Sequence, residues 1–146
     1  MCDIERRAYY INDEGIGKSK EYRQEMIKKA IKFAKSLIDK DKTAHNIVFF
    51  CGVRDNGDQW LPINLFNTLW NEGIEQNNVQ YRAASLKTYC RCNSYNDIII
   101  SMGCSSYSLK PLDKYKDIGY IIAVPWLLSL TEEWIRKNNA QIIETD

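Results

Sequence analysis

The sequence predicts an α/β protein: a small three-layer sandwich, with a mainly parallel sheet of four to five strands and helices on both faces. Three observations predict it. First, NIVFFCGV (46–53), NDIIISMG (96–103) and IGYIIAVPW (118–126) are continuous apolar runs of strand length. Such runs mark strands buried on both faces, whereas half-exposed strands alternate. Second, segments of helical periodicity separate these runs, as parallel strands require. Third, 146 residues with three prolines, seven glycines and no visible linker or repeat read as one domain, large enough to bury its own core. An α+β arrangement is the alternative. The stretch 79–103 decides between the two, because its connection is short enough for an antiparallel pair.

Residues 1–18 are polar, carry Gly15 and Gly17, and read as an N-terminal arm ahead of a single α/β domain over 19–146. Tyr9, Tyr10 and Ile11 are the groups by which the arm would pack on the body or on a partner. Ser19 is suited to cap a helix running to about Ile38, with Met26, Ile27, Ala30, Ile31, Ala34, Leu37 and Ile38 as its apolar stripe. Lys28, Lys29, Lys32 and Lys35 fall mostly on the opposite side, with Glu21 and Glu25 nearby, as on a solvated face. A turn leads into the strand at 46–53, and a polar loop, RDNGDQW (54–60), leaves it. Pro62 fits the first turn of a helix carried by Ile63, Leu65, Phe66, Leu69 and Trp70, and Gly73 stands near its end. VQYRAASL (79–86) is a strand of weaker pattern, and TYCRCNSYN is too polar to assign. After the strand at 96–103 come a loop with a short helix (104–117) and the strand at 118–126. Ser129 and Glu132 match the capping box S-x-x-E and start a last helix over 127–138; AQIIETD is a short edge strand or a loose tail.

Composition narrows the function classes. Lys+Arg 20 against Asp+Glu 19 leaves a net charge of +1, so no whole-molecule basic field draws the chain to polyanions, and nucleic acid is not an expected partner. The N-terminus lacks the apolar run of a signal peptide, and the longest apolar stretch, 118–130, is broken by Pro125 and Ser129. A cytoplasmic protein without a membrane partner is therefore expected. The five cysteines, Cys2, Cys51, Cys90, Cys92 and Cys104, read as reduced thiols. Cys90-x-Cys92 is the only close pair and His45 is distant, so no metal site and no cofactor are read from the sequence.

In doubly wound sheets ligands sit at the carboxyl ends of the strands, where connections diverge. That rule selects 53–61, 103–111 and 125–129. In the first, Arg54 is suited to fork onto a phosphate or carboxylate. Asp55 and Asp58 are suited to hold a hydroxyl or act as catalytic base or nucleophile, Asn56-Gly57 to turn the chain, with the Asn56 amide as a further ligand-binding group, and Trp60 to stack on a ring. In the second, Gly103, Ser105, Ser106 and Lys110 offer a close backbone approach, a helix start and a cation for an anion. The same serines also suit helix capping. Cys104 at the strand end lacks a nearby imidazole, and His45 falls at the opposite end of the sheet. Trp126 and Trp134 are read as packing residues.

NDIIISMG ahead of a small-residue loop resembles a generic strand end of Rossmann-like (flavodoxin-like) nucleotide-binding domains, and covers too little of the chain to carry residues over. The leading functional expectation is binding of a small anionic, nucleotide-like ligand between loops 54–60 and 103–111. A hydrolase or glycosyl-transfer enzyme acting on a nucleotide in the same pocket is the first alternative. A non-catalytic interaction protein of inhibitor or immunity type, bound through the N-terminal arm, is the second. A homo-oligomer is compatible with all three.

Overall fold

The three apolar runs become the middle of one sheet. The computed structural model describes residues 7–41, 44–52, 54–85, 87–89, 96–114 and 118–143. The chain runs β1 (Arg7–Tyr10), α1 (Lys20–Lys40), β2 (Ala44–Cys51), α2 (Ile63–Asn71), β3 (Ile74–Gln76), β4 (Val79–Ser85), β5 (Asn96–Met102), α3 (Ser106–Leu109), β6 (Ile118–Val124), α4 (Leu128–Lys137) and β7 (Gln141–Ile142). Two 3-10 turns, Arg54–Gln59 and Lys110–Lys114, complete it. The strand order is β3-β4-β2-β5-β6-β1-β7. Every neighbouring pair is parallel except β3 and β4.

Alternation along each central strand sends side chains to opposite faces. Ile47, Phe49 and Cys51 of β2 join Ile98, Ile100 and Met102 of β5 under Met26, Ile27, Ala30 and Ala34 of α1 and Phe66 and Leu69 of α2. Val48, Phe50, Ile99 and Ile121 face the other way, against Leu109, Leu112 and Trp134, which α3, its following turn and α4 supply. Both faces are therefore apolar, which is why these strands read as unbroken runs.

The sheet exceeds the expected four to five strands at two places. Arg7–Tyr10, expected within a polar arm, is a strand between β6 and β7 with Arg7 opposite Tyr120. Tyr9 is buried with its ring 4.8 Å from that of Phe33. Four residues are too few to show a period, and their hydrogen-bond partners come from the far end of the chain. β3 is short and polar, and Asn77 and Asn78, both left-handed (φ 54 and 66), make the two-residue turn that pairs it with β4. The stretch 79–103 is resolved in favour of α/β. β4 and β5 do not pair with each other; both lie parallel to β2, one on each side.

The lead-in after β1 is tied down. Ile11, Gly15 and Ile16 donate backbone N–H groups to the carbonyls of Ala123, Pro125 and Trp126. The capping box expected at Ser129 does not form: α4 starts two residues earlier, with Leu127 as N-cap and no side-chain cap of its own. Glu14 takes that place, its carboxylate accepting the Leu128 N–H at 3.0 Å. A negative group at a helix N-terminus also complements the helix dipole. Glu14→Ala is expected to lower stability by about 1 kcal/mol, read as a shift in the urea midpoint; an unchanged midpoint would show that water caps the helix as well.

Candidate functional site

The connection after β2 passes to α2 on one face, and the connection after β5 passes to α3 on the other. The adjacent strands β2 and β5 thus send their chains apart, and the space between opens at their carboxyl ends. A cavity of about 440 Å³ lies there, lined by Gln59, Trp60, Met102, Gly103 and Trp126. This is within the usual range for small-molecule sites.

Trp60 is the central wall. It is 1% exposed, and its ring meets that of Trp126 edge-on, centroids 6.2 Å apart at 75°. Two glycines admit it. A Cβ on Gly15 would lie 2.7 Å from the indole tip, and a Cβ on Gly103 would lie 2.9 Å from Nε1. Gly103 also has φ +72, a conformation that costs other residues roughly 1 kcal/mol or more. Gly103→Ala is therefore expected to destabilise the fold by about 2 kcal/mol, clash and strain together, measured by thermal unfolding; an unchanged Tm would mean that Trp60 yields freely. Gly57 plays a related part. Expected as a turn glycine, it lies in the 3-10 turn Arg54–Gln59, where a Cβ would meet the Phe66 ring at 2.2 Å. Its lack of a side chain lets that turn rest on α2.

Arg23 of α1 was not anticipated as part of the site. It is buried, donates from Nε to the Gln59 carbonyl (2.8 Å), from Nη1 to the Lys18 carbonyl (2.7 Å) and from Nη2 to Gln59 Oε1 (3.2 Å). Its guanidinium also stands 5.3 Å from the centre of the Trp126 ring. One side chain thereby fixes the lead-in, the turn after β2 and a wall of the cavity. The signal was present in the sequence: Arg23 precedes Met26 and Ile27 by three and four positions, so it shares their buried stripe.

Of the residues expected at the site, Trp60 and Gly103 meet in this cavity. Ser105 instead caps α3, accepting the Ser108 N–H at 3.3 Å. Ser106 accepts the Trp134 N–H at 2.9 Å and ties α3 to α4. Ser106 and Lys110 line a separate hollow of about 210 Å³, with Tyr107, Asp113, Glu133 and Lys137 around it. Loops 54–60 and 103–111 therefore share a cavity only through Gln59, Trp60 and Gly103 among the described residues. The reason is local: α3 begins immediately beyond Ser105 and carries the rest of its loop onto the second face. Trp126, expected only to pack, lines the cavity as well. Asp58 is half-buried, and its Oδ1 is buried without a hydrogen-bond partner among the described residues. The side chains of Arg54, Asp55 and Asn56, and all of Cys90 and Cys92, lie outside the described residues.

Cys51 and Cys104 stand near the carboxyl ends of β2 and β5, both buried. Burial pushes the Cys51 thiol up to about 12 and the Cys104 thiol up to about 11. Neither is a thiolate nucleophile at neutral pH. In the native protein both are expected to escape iodoacetamide at pH 8 and to be labelled only on unfolding, as read by peptide mass spectrometry. The fold favours the protonated thiols, so their contribution is complete below the ordinary thiol value and declines as the pH climbs toward 11.

Among the described residues no helix is long and apolar enough to cross a membrane, and no group of three His, Cys, Asp or Glu side chains is placed to hold a metal ion. Comparison with protein-family models, with curated proteins and with solved structures found no match.

Proposed function

We propose that the chain is a small-molecule-binding protein of doubly wound, Rossmann-like build that takes a nucleotide-like ligand where β2 and β5 diverge. The observation that carries the reading is the cavity walled by Trp60 and Trp126 at the carboxyl ends of the strands. Two indoles give a planar ring apolar contact, and Gln59 gives it a polar one. The ligand's anionic group goes to the 3-10 turn Arg54–Gln59, which begins with Arg54 and ends beside the cavity. The test is a titration of the purified protein with a panel of purine and pyrimidine nucleotides, followed by tryptophan fluorescence. Saturable quenching is expected, weakened about tenfold in Arg54→Ala through loss of a charge-assisted contact. Absence of binding across the panel would end this reading.

Catalysis on a bound nucleotide is a second reading, favoured by one observation: the buried, unpartnered Oδ1 of Asp58. Asp58 does not line the cavity, so this reading requires the turn Arg54–Gln59 to yield and bring that unsatisfied acceptor to a substrate proton or hydroxyl. Under this reading Asp58→Asn abolishes turnover of a nucleotide that the protein binds, with Asp55→Asn as the parallel test; turnover surviving in both variants excludes it.

A further inference from the structure

We infer that the ring held in this cavity presents acceptor atoms to it, and is a 6-oxopurine, guanine or hypoxanthine, in preference to adenine. The inference rests on the nucleotide reading above and adds the base class. It starts from the hydrogen-bonding groups that the cavity leaves open. The Trp60 indole N–H donates to no described residue, although the side chain is 1% exposed. An indole nitrogen only donates. Gly103 keeps that N–H accessible, since a Cβ there would stand 2.9 Å from Nε1.

Gln59 has two ends, and Arg23 decides which one is free. A guanidinium cannot accept, so the contact of Nη2 at 3.2 Å fixes Oε1 toward Arg23. The amide NH₂ of Gln59 is left as the end that meets a ligand. The remaining side chains of the cavity are Met102, a weak acceptor at best, and Trp126. No carboxylate lines it among the described residues. The cavity's side chains therefore offer donors and no strong free acceptor, and the Arg23 guanidinium adds positive potential behind them.

The imidazole-side edge of guanine and hypoxanthine carries two acceptors, N7 and O6, whereas adenine carries N7 and an N6 amine donor. A 6-oxopurine satisfies both protein donors. An adenine sets its amine against one of them, so that one protein donor finds no acceptor on the base. Sites built to pair a ligand group discriminate strongly for this reason.

The experiment titrates the full chain with the monophosphates of guanosine, inosine and adenosine, by tryptophan fluorescence and calorimetry. Guanosine and inosine monophosphates are expected to bind at least about tenfold more tightly than adenosine monophosphate. Gln59→Leu, at an exposed position, removes one donor and is expected to narrow the ratio to about threefold, with the fold checked by circular dichroism. Trp60→Phe, which keeps a ring and removes the N–H, should narrow it similarly. Equal or tighter binding of the adenine nucleotide by the wild type overturns this inference and leaves the nucleotide reading standing. A ratio unchanged in both variants also overturns it. No binding of any of the three overturns both.

Discussion

Trp60→Ala is expected to lower folding stability by about 3–5 kcal/mol and to remove the central wall of the cavity with it. The indole is buried at the carboxyl ends of the strands, between Gly15 and Gly103 and edge-on to Trp126. When a large side chain is cut back, the loss depends on how far the neighbours can collapse into the space. Here two of the nearest neighbours are glycines, with no side chains to move. Their backbones are also held: Gly15 donates to the Pro125 carbonyl and Gly103 to that of Val124, at 2.9 and 2.8 Å. The space should therefore stay open, which places the loss toward the upper end. Urea unfolding followed by circular dichroism measures it. A loss below about 1.5 kcal/mol would mean that the lead-in collapses after all, and that Trp60 does not hold the cavity's shape.

The second large effect lies at the other end of the sheet. Asp97 is 0% exposed at the start of β5. Its carboxylate accepts from Asn46 Nδ2 at 3.1 Å, from Arg82 Nη2 at 3.3 Å and from the Tyr89 hydroxyl at 2.6 Å. These donors come from β2, from β4 and from the segment beyond β4, so a single carboxylate ties together the strands on both sides of β2. Asp97→Ala strands three donors around an apolar methyl. Removing one partner of a buried pair typically costs 3–5 kcal/mol. The Arg82 side chain is 30% exposed and can turn partly to water, which places the expectation near the lower bound, about 3 kcal/mol. Asp97→Asn, which keeps the shape and one acceptor, should lose less. A double-mutant cycle with Tyr89→Phe gives the decisive reading: the two losses should fail to add, because they share one hydrogen bond. Strict additivity would show that the hydroxyl and the carboxylate stabilise the fold separately.

What was legible in the sequence follows physical length scales. β2, β5 and β6 showed themselves because two buried faces demand unbroken apolar runs, and α1 and α4 because a stripe of helical period needs two or three turns to emerge. β1 and β3 have four and three residues, too short for any period, and their stabilisation comes from partners remote in sequence. The Asn77-Asn78 turn was a readable sign of β3, since both residues tolerate the left-handed conformation. The position of the cavity at the carboxyl ends of β2 and β5 followed from the fold class, because it depends on the direction of connections rather than on a motif. Its membership did not. Trp60 and Gly103 are there, but Ser105 and Ser106 serve helices, and whether a serine hydroxyl meets a ligand or a backbone N–H depends on where the next helix begins. Arg23 was hidden because a cation on a buried stripe becomes informative only once its three carbonyl acceptors, two of them on Gln59, are known.

β1 lies parallel between β6 and β7, with Arg7 opposite Tyr120 and Tyr10 opposite Ile142. β1 therefore has no pairing partner until β6 and β7, more than a hundred residues further along, have been made. Vectorial folding can assemble β2, β4, β5 and β6 in turn, but β1 waits for the strands that flank it. Closing so long a loop sets a high contact order and makes this the slow, entropically costly step. The same stitching means that β1 and β7 do not open independently: pulling β1 out strips a neighbour from both β6 and β7, so these short strands share the fate of the interior.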